Sequence, residues 1–477
     1  MPDTSEPSTT PSTGVPSSKW VVIAVVLGAT LMPLNSTMIA VALPEVTDDM
    51  GITVSRSAWL VTAYLVALAS LLPLTGDLAD RFGRRRMILS GLALFGIASI
   101  GAAVSPDFET LLVFRVLQAI SGSMVLPAGW AVIREVVPEH RRAYAFGLMG
   151  SMIGLSAGAG PPIGGLLTEL AGWRGIFYVN IPVVASALLL GWRVLPRTRQ
   201  REGAGAQFDY AGAVLLPIVL SGLAGVLMAI GLDAPWALVG TGAAAVAGGA
   251  VLLAFIETRA TSPVLQPRLF RIRAFTAAAG GVAFSNMAMY VTLLAVPLML
   301  TARRGYTTLE IGLVLMALSI ASLVVSPVAG RFADRLGRRT PTVLGLAIST
   351  AAAFPLALEG SEISVPILVV TLVVFGIGFG IANPGMQTGA IEAAPADRTA
   401  AASGVYSTSR YFGSIVGSAI LAGLMGANRA DMSGIDGVFI LALVASAIAL
   451  ISVIGMAARK PGESSPEHAG STVVAGG

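Results

Sequence analysis

Residues Gly76-Asp77-Leu78-Ala79-Asp80-Arg81-Phe82-Gly83-Arg84-Arg85-Arg86 lie between two long apolar runs. A near copy, Gly330-Arg331-Phe332-Ala333-Asp334-Arg335-Leu336-Gly337-Arg338-Arg339, recurs 254 residues later in the same setting. Charge this dense is costly in hydrocarbon, so both stretches are expected as tight turns at a membrane surface. Their repetition marks a chain built from two related halves.

The rest of the composition agrees. The chain has 477 residues, 55% hydrophobic and 12% charged, and a mean hydropathy of +0.80. A soluble chain carries about a quarter charged residues, so lipid is the expected solvent and partner here. A pI near 9.6 could suggest nucleic acid, but the basic residues are scattered over short connectors and form no continuous face. No nucleic-acid partner is expected. The chain has no cysteine and two histidines, His140 and His468, so disulfides, thiol chemistry and a histidine metal cluster are excluded. The lysines are Lys19 and Lys460, and neither follows a glycine. A phosphate-cradling loop ending in Gly-Lys is therefore absent, and with it ATP as a partner. No cofactor and no enzymatic constellation are expected.

Residues 1–18 and 460–477 are polar and read as disordered tails. Between them lie fourteen apolar segments, at about 20–43, 57–76, 86–105, 110–133, 143–168, 174–195, 209–230, 235–256, 274–301, 309–330, 341–358, 365–390, 401–426 and 436–458. Each suits the roughly 20 residues that a membrane helix needs. They are uniformly apolar without alternation, which predicts helices rather than barrel strands. The 254-residue offset exceeds an ordinary six-helix half. Two helices in 201–260 account for the excess, between six-helix bundles at 19–200 and 261–459. The prediction is thus an all-α membrane protein with 14 transmembrane helices. Most loop arginines share a side with the two turns, and only Arg56, Arg174, Arg303, Arg304 and Arg429 fall on the other. The positive-inside rule then puts both termini in the cytoplasm of a plasma (inner) membrane protein.

Several stretches carry mechanism. In the turns, Gly76 is expected to permit close helix approach, while Asp77 and Asp80 can pair with Arg81, Arg84 or Arg85. Gly83, Asp334, Arg335, Gly337 and Arg338 repeat the pattern. Arg115-Val116-Leu117-Gln118 places a charge within an apolar run, facing either a cavity or, by snorkelling, the surface. From Gly147 to Gly165 small residues recur four apart, as in Gly150, Gly154, Gly158 and in Ser156, Gly160, Gly164. They flatten a helix face for backbone contact, and Pro161 permits a bend. Further on stand Trp173-Arg174-Gly175-Ile176-Phe177-Tyr178-Val179-Asn180-Ile181-Pro182 and Ser403-Gly404 with Ser409-Arg410-Tyr411-Phe412-Gly413.

Together these stretches resemble the major facilitator superfamily, specifically its fourteen-helix drug:proton antiporter branch, over about residues 19–458. The turns are similar to its G-x-L-a-D-r-x-G-r-[kr], Arg115 to Gln118 to its R-x-x-Q-G with Ala119 at the glycine, and Gly147 to Gly165 to its antiporter signature with Ser156 at one glycine. The resemblance implies alternating access, a cytoplasmic latch at the turns, and export of small lipophilic or amphipathic molecules coupled to protons. It also implies a cavity lined by Asn35, Tyr64, Arg115, Gln118, Asn286, Tyr290, Asn383, Gln387, Tyr406 and Arg410. One departure matters. The branch has an aspartate in span 1 where this chain has Asn35, and an amide does not titrate. A carrier of one defined metabolite, or a membrane sensor that kept the fold, are the rival readings.

Overall fold

The computed structural model describes residues 18–196, 209–231, 234–260, 263, 265–395, 399–425 and 433–456, some helical residues by backbone alone. The described elements are helical: α1 (Ser18–Asp49), α2 (Val54–Ser57), α3 (Trp59–Phe82), α4 (Arg84–Ala103), α5 (Phe108–Val136), α6 (Glu139–Ala171), α7 (Gly175–Tyr178) and α8 (Asn180–Val194). After them come α9 (Tyr210–Gly231), α10 (Trp236–Arg259), α11 (Arg273–Arg304), α12 (Thr308–Leu336), α13 (Arg339–Glu359), α14 (Val365–Ala393), α15 (Thr399–Met425) and α16 (Ser433–Val453). With no water to satisfy peptide groups in a bilayer, internal helical bonding is the expected solution. Among the described residues, 12 helices are long and apolar enough to cross a membrane. Neither α6 nor α15 is among them. Part of the α6 side chains lies outside the description, and α15 is diluted by Ser407, Thr408, Ser409, Arg410, Ser414 and Ser418.

Two sets of helices pack in the same pattern. In the first, α1 meets α6 and α8, α5 meets α3 and α4, and α4 meets α8. In the second, α11 meets α15 and α16, α14 meets α12 and α13, and α13 meets α16. The seams between the sets are also a matched pair, α6 on α12 and α3 on α15, with α1 touching α11 between them. Such reciprocity is what a pseudo-two-fold axis produces. Ser36 and Tyr290 bond across it at 3.1 Å. Their separation of 254 residues equals the offset of the two turns. Near a two-fold axis, a position meets its own counterpart.

The inserted pair sits outside this arrangement. Helix α9 packs on α10 and on both α3 and α15, so it covers one seam. An apolar cleft of about 370 Å³ separates α9 from α10 and is bordered by Phe412.

The turns differ from the expectation. Most of each repeated stretch is helical, since α3 runs to Phe82 and α12 to Leu336. Ala79 and Ala333 are still buried, so packing carries the helices on into the charged stretches. Reversal is left to Gly83, at φ 94°, and Gly337, at φ 84°, where a side chain would be strained. Gly76 does not mediate a tight approach either. A methyl placed there would have Pro127 Cβ as its neighbour at 4.0 Å.

Close approach occurs instead along α6. A methyl at Gly160 would collide with Thr37, and one at Gly164 would lie 2.9 Å from Met38 Cα, both on α1. On another face, a methyl at Gly158 would lie 3.3 Å from Ser319 Cβ and one at Gly165 2.5 Å from Thr308 O, both on α12. Pro161 shares that seam, its carbonyl 2.6 Å from where Gly312 would carry a Cβ. Ser156 bonds back to Met152 O at 2.8 Å. Gly147 lies outside the described side-chain positions.

Along α15 the seam is tied by Ser55 of α2 to Ala422 O at 3.0 Å and, on α3, by Thr62 to Ser418 at 2.9 Å and Thr408 to Ala69 O at 3.4 Å. These lie from the end opposite the turns down to mid-depth. Nearer the turns, methyls at Gly330 of α12 and Gly404 of α15 would meet nothing within 4 Å.

Leucine at Gly160 or Gly165 is expected to destabilise the purified protein by about 1–3 kcal/mol through overpacking. Gly248, where an added methyl meets nothing within 4 Å, is the control. Thermal unfolding in detergent should show lower midpoints for the first two variants and an unchanged one for Gly248→Leu.

Candidate functional site

At mid-depth in the first set, α1, α3, α4 and α5 enclose a polar cluster. Arg115 and Asn35 are both fully buried. The Arg115 guanidinium donates from Nε to Leu60 O at 3.3 Å and from Nη1 to Gln118 Oε1 at 3.0 Å. Nη1 also donates to Asn35 Oδ1. The guanidinium stacks over the Tyr64 ring at 4.4 Å, and Tyr64 donates to Met32 O at 3.2 Å. An arginine donor fixes both amide orientations, since each must turn its oxygen toward it. Gln118 Nε2 therefore faces away and donates to Ser99 Oγ at 2.9 Å, which also accepts from Asn180 Nδ2 at 3.3 Å. Snorkelling is ruled out for Arg115, whose side chain turns inward.

The second set contributes across the axis. Tyr290 bonds Ser36, the residue next to Asn35, and lies within electrostatic reach of Arg115 and Arg410. Arg410 stands over the Tyr406 ring at 5.4 Å and interacts electrostatically with Tyr411. Asn286 is buried but bonds its own helix at Val282 O, 3.0 Å away. Asn383 is half-buried and Gln387 is exposed. The structure thus unites Asn35, Tyr64, Arg115, Gln118 and Tyr290, places Tyr406 with Arg410, and leaves Asn286, Asn383 and Gln387 apart from that network. Ser36, Ser99 and Tyr411 were not singled out from sequence. A lone serine in an apolar run carries no signal until its neighbour is known.

At the turn end, each repeat reaches the tip of a neighbouring helix. Arg84 pairs with Glu135 at 2.9 Å on α5, and Arg338 pairs with Glu392 at 2.8 and 3.2 Å on α14. Arg85 donates to Leu195 O at 2.7 Å and Trp192 O at 2.5 Å, tying the end of α8. Arg81 is half-buried. The side chains of Asp77, Asp80, Asp334 and Arg335 lie outside the described set. Glu135 and Glu392 are half-exposed, so each pair contributes about 0–1 kcal/mol and can break readily.

The opposite end has a clamp of its own. Trp173 Nε1 and Arg174 Nη1 both donate to Asp49 at the end of α1, at 2.9 and 2.8 Å. The Trp173 amide donates to Glu45 at 3.2 Å. Asn180 of the same stretch reaches the buried cluster through Ser99. One short segment therefore fixes both the rim and the centre of the first set.

The sequence model of the Major Facilitator Superfamily matches residues 25–418 and, again, 278–475. The chain belongs to that superfamily. Among curated major facilitator relatives, the uncharacterized MFS-type transporter YvkA of Bacillus subtilis (strain 168) is 33% identical over 441 residues, covering 91% of this chain and 95% of its own. The tetracenomycin C resistance and export protein of Streptomyces glaucescens is 30% identical over 432 residues, covering 89% and 79%. Among solved structures, the inward-open xylose transporter XylE of E. coli superposes with a TM-score of 0.63 at 14% identity, covering 92% and 95%. That likeness is one of fold.

Gln118 and Asn180 meet only through Ser99. Alanine at both should therefore show a non-additive loss of thermal stability, about 0.5–3 kcal/mol of coupling, that vanishes when Ser99 is also alanine. Strict additivity would mean that the three side chains do not form one network.

Proposed function

We propose that the chain is a fourteen-helix exporter of small lipophilic or amphipathic compounds, working by alternating access and coupled to protons. In this reading α6 and α15 cross the membrane with the twelve helices already described. The bundles are 19–200 and 261–459, residues 201–260 hold the inserted pair, and both termini are cytoplasmic in the plasma (inner) membrane. The observation that carries it is the seam geometry. The Gly158–Gly165 stretch of α6 lies flat on α12, and the matched seam of α3 with α15 is tied by a few hydroxyl hydrogen bonds. Two halves that meet in this way are suited to rocking against each other. Relatives named for antibiotic resistance and export support the direction.

The turns act as the latch in this reading, with the Arg84–Glu135 and Arg338–Glu392 pairs each holding a turn to its own half. Proton coupling runs through a carboxylate other than that of span 1, because Asn35 stands there.

Two measurements test this. The chain has no cysteine background, so Pro106→Cys and Thr340→Cys, both exposed, report sidedness directly. An impermeant thiol reagent should label the first and spare the second in intact cells, and the reverse would overturn the topology. Proteoliposomes with an imposed pH gradient should move neutral or anionic amphiphiles in preference to a permanent dication. Saturable transport of a single metabolite alone would favour the rival carrier, and robust dication transport would refute the role given to Asn35.

A further inference from the structure

The buried cluster has an unbalanced charge and unbalanced hydrogen bonding. Arg115 is fully buried, and its partners are Leu60 O, Asn35 Oδ1, Gln118 Oε1 and the face of Tyr64. None is a carboxylate. A buried guanidinium without a counter-charge is among the costliest arrangements a membrane protein can hold, by several kcal/mol. Two donors are also left over. Among the described residues, Arg115 Nη2 and Asn35 Nδ2 are buried and have no acceptor. Nη2 shares its carbon with Nη1 and Nδ2 shares its carbon with Oδ1, the two atoms of the Arg115–Asn35 hydrogen bond, so both orphan donors lie next to that bond. Asn180 Oδ1, the orphan acceptor of the network, is separated from them by Ser99 and Gln118. What the centre lacks is one anionic acceptor.

We propose that Arg115 Nη2 and Asn35 Nδ2 form an anion site that accepts a carboxylate-type oxygen. This deepens the export reading given above, at the same site. Asn35 then has a positive role, since an amide offers one oxygen to the guanidinium and one N–H to the guest. A carboxylate at this position would neutralise Arg115 internally and leave no need for a guest. The anion could be the acid group of the cargo itself or a halide from the medium, and the same two donors would serve either.

The test is equilibrium binding of labelled benzoate to the purified full-length protein in a low-salt buffer, with chloride as competitor. The expected result is saturable binding of about one benzoate per chain, weakened about tenfold or more in Asn35→Asp and in Asn35→Leu. The first variant supplies its own anion and the second removes a donor. Circular dichroism and gel filtration verify that both are folded. Displacement by chloride would support the site with a halide as occupant, and resistance to chloride would support it with an organic acid. Absence of saturable benzoate binding together with an unfolding midpoint insensitive to chloride would overturn the proposal. So would unchanged affinity in both folded variants. Binding is read without transport. A protein that binds benzoate but moves no amphiphile would keep the anion site and lose the export reading.

Discussion

Backbone contact between helices is the constraint on which this molecule depends. In hydrocarbon there is no hydrophobic gain in bringing two apolar helices together, so adhesion must come from close packing. Helix α6 meets that need twice, with Gly160 and Gly164 against α1 and with Gly158 and Gly165 against α12. The first contact lies within one half and the second between halves. A single helix therefore packs both within its own half and across the seam to the other. In the other half, Gly413 and Gly417 of α15 abut Ala283 and Met287 of α11, and α15 forms the matching seam with α3. A flat face lacks interlocking side chains, which suits the alternating access proposed above.

Polar groups are confined by the same economy. Where they are exposed, at the Arg84–Glu135 and Arg338–Glu392 pairs, water weakens them and they can exchange partners. Where they are buried, around Arg115, they form one connected set that reaches from Asn35 through Gln118 and Ser99 to Asn180. Burial makes each of those bonds expensive to lose. The rim clamp of Trp173 and Arg174 on Asp49 belongs to the same segment as Asn180, so rim and centre are positioned together.

Much of this could be read from the chain. The repeated turns announced two halves, and the 254-residue offset reappears as the separation of Ser36 and Tyr290. The row Ser156, Gly160 and Gly164 foretold a flat contact face on α6, because a period of four follows directly from helix geometry, whereas the second face, Gly158 and Gly165 against α12, was not foreseen. Other features were hidden. The turns shrank to Gly83 and Gly337, since burial of Ala79 and Ala333 extends the helices and no local pattern records that depth. Gly76 resembled a packing glycine and is not one. Arg115 and Asn35 are far apart in sequence, and their bond depends on how α1 and α5 pack. Serines such as Ser36 and Ser99 gained meaning only from the partner each one touches.

The Ser36–Tyr290 pair also has a kinematic consequence. It lies near the middle of α1 and of α11, where the pseudo-two-fold axis crosses the body of the protein. When two halves tilt about their common centre, displacement grows with distance from that centre and vanishes at it. The rims would travel many times farther than this hydroxyl pair. In the alternating access proposed above it would be the fulcrum of the lever. A spectroscopic probe there would register little of such a tilt, while one at either rim would register most of it.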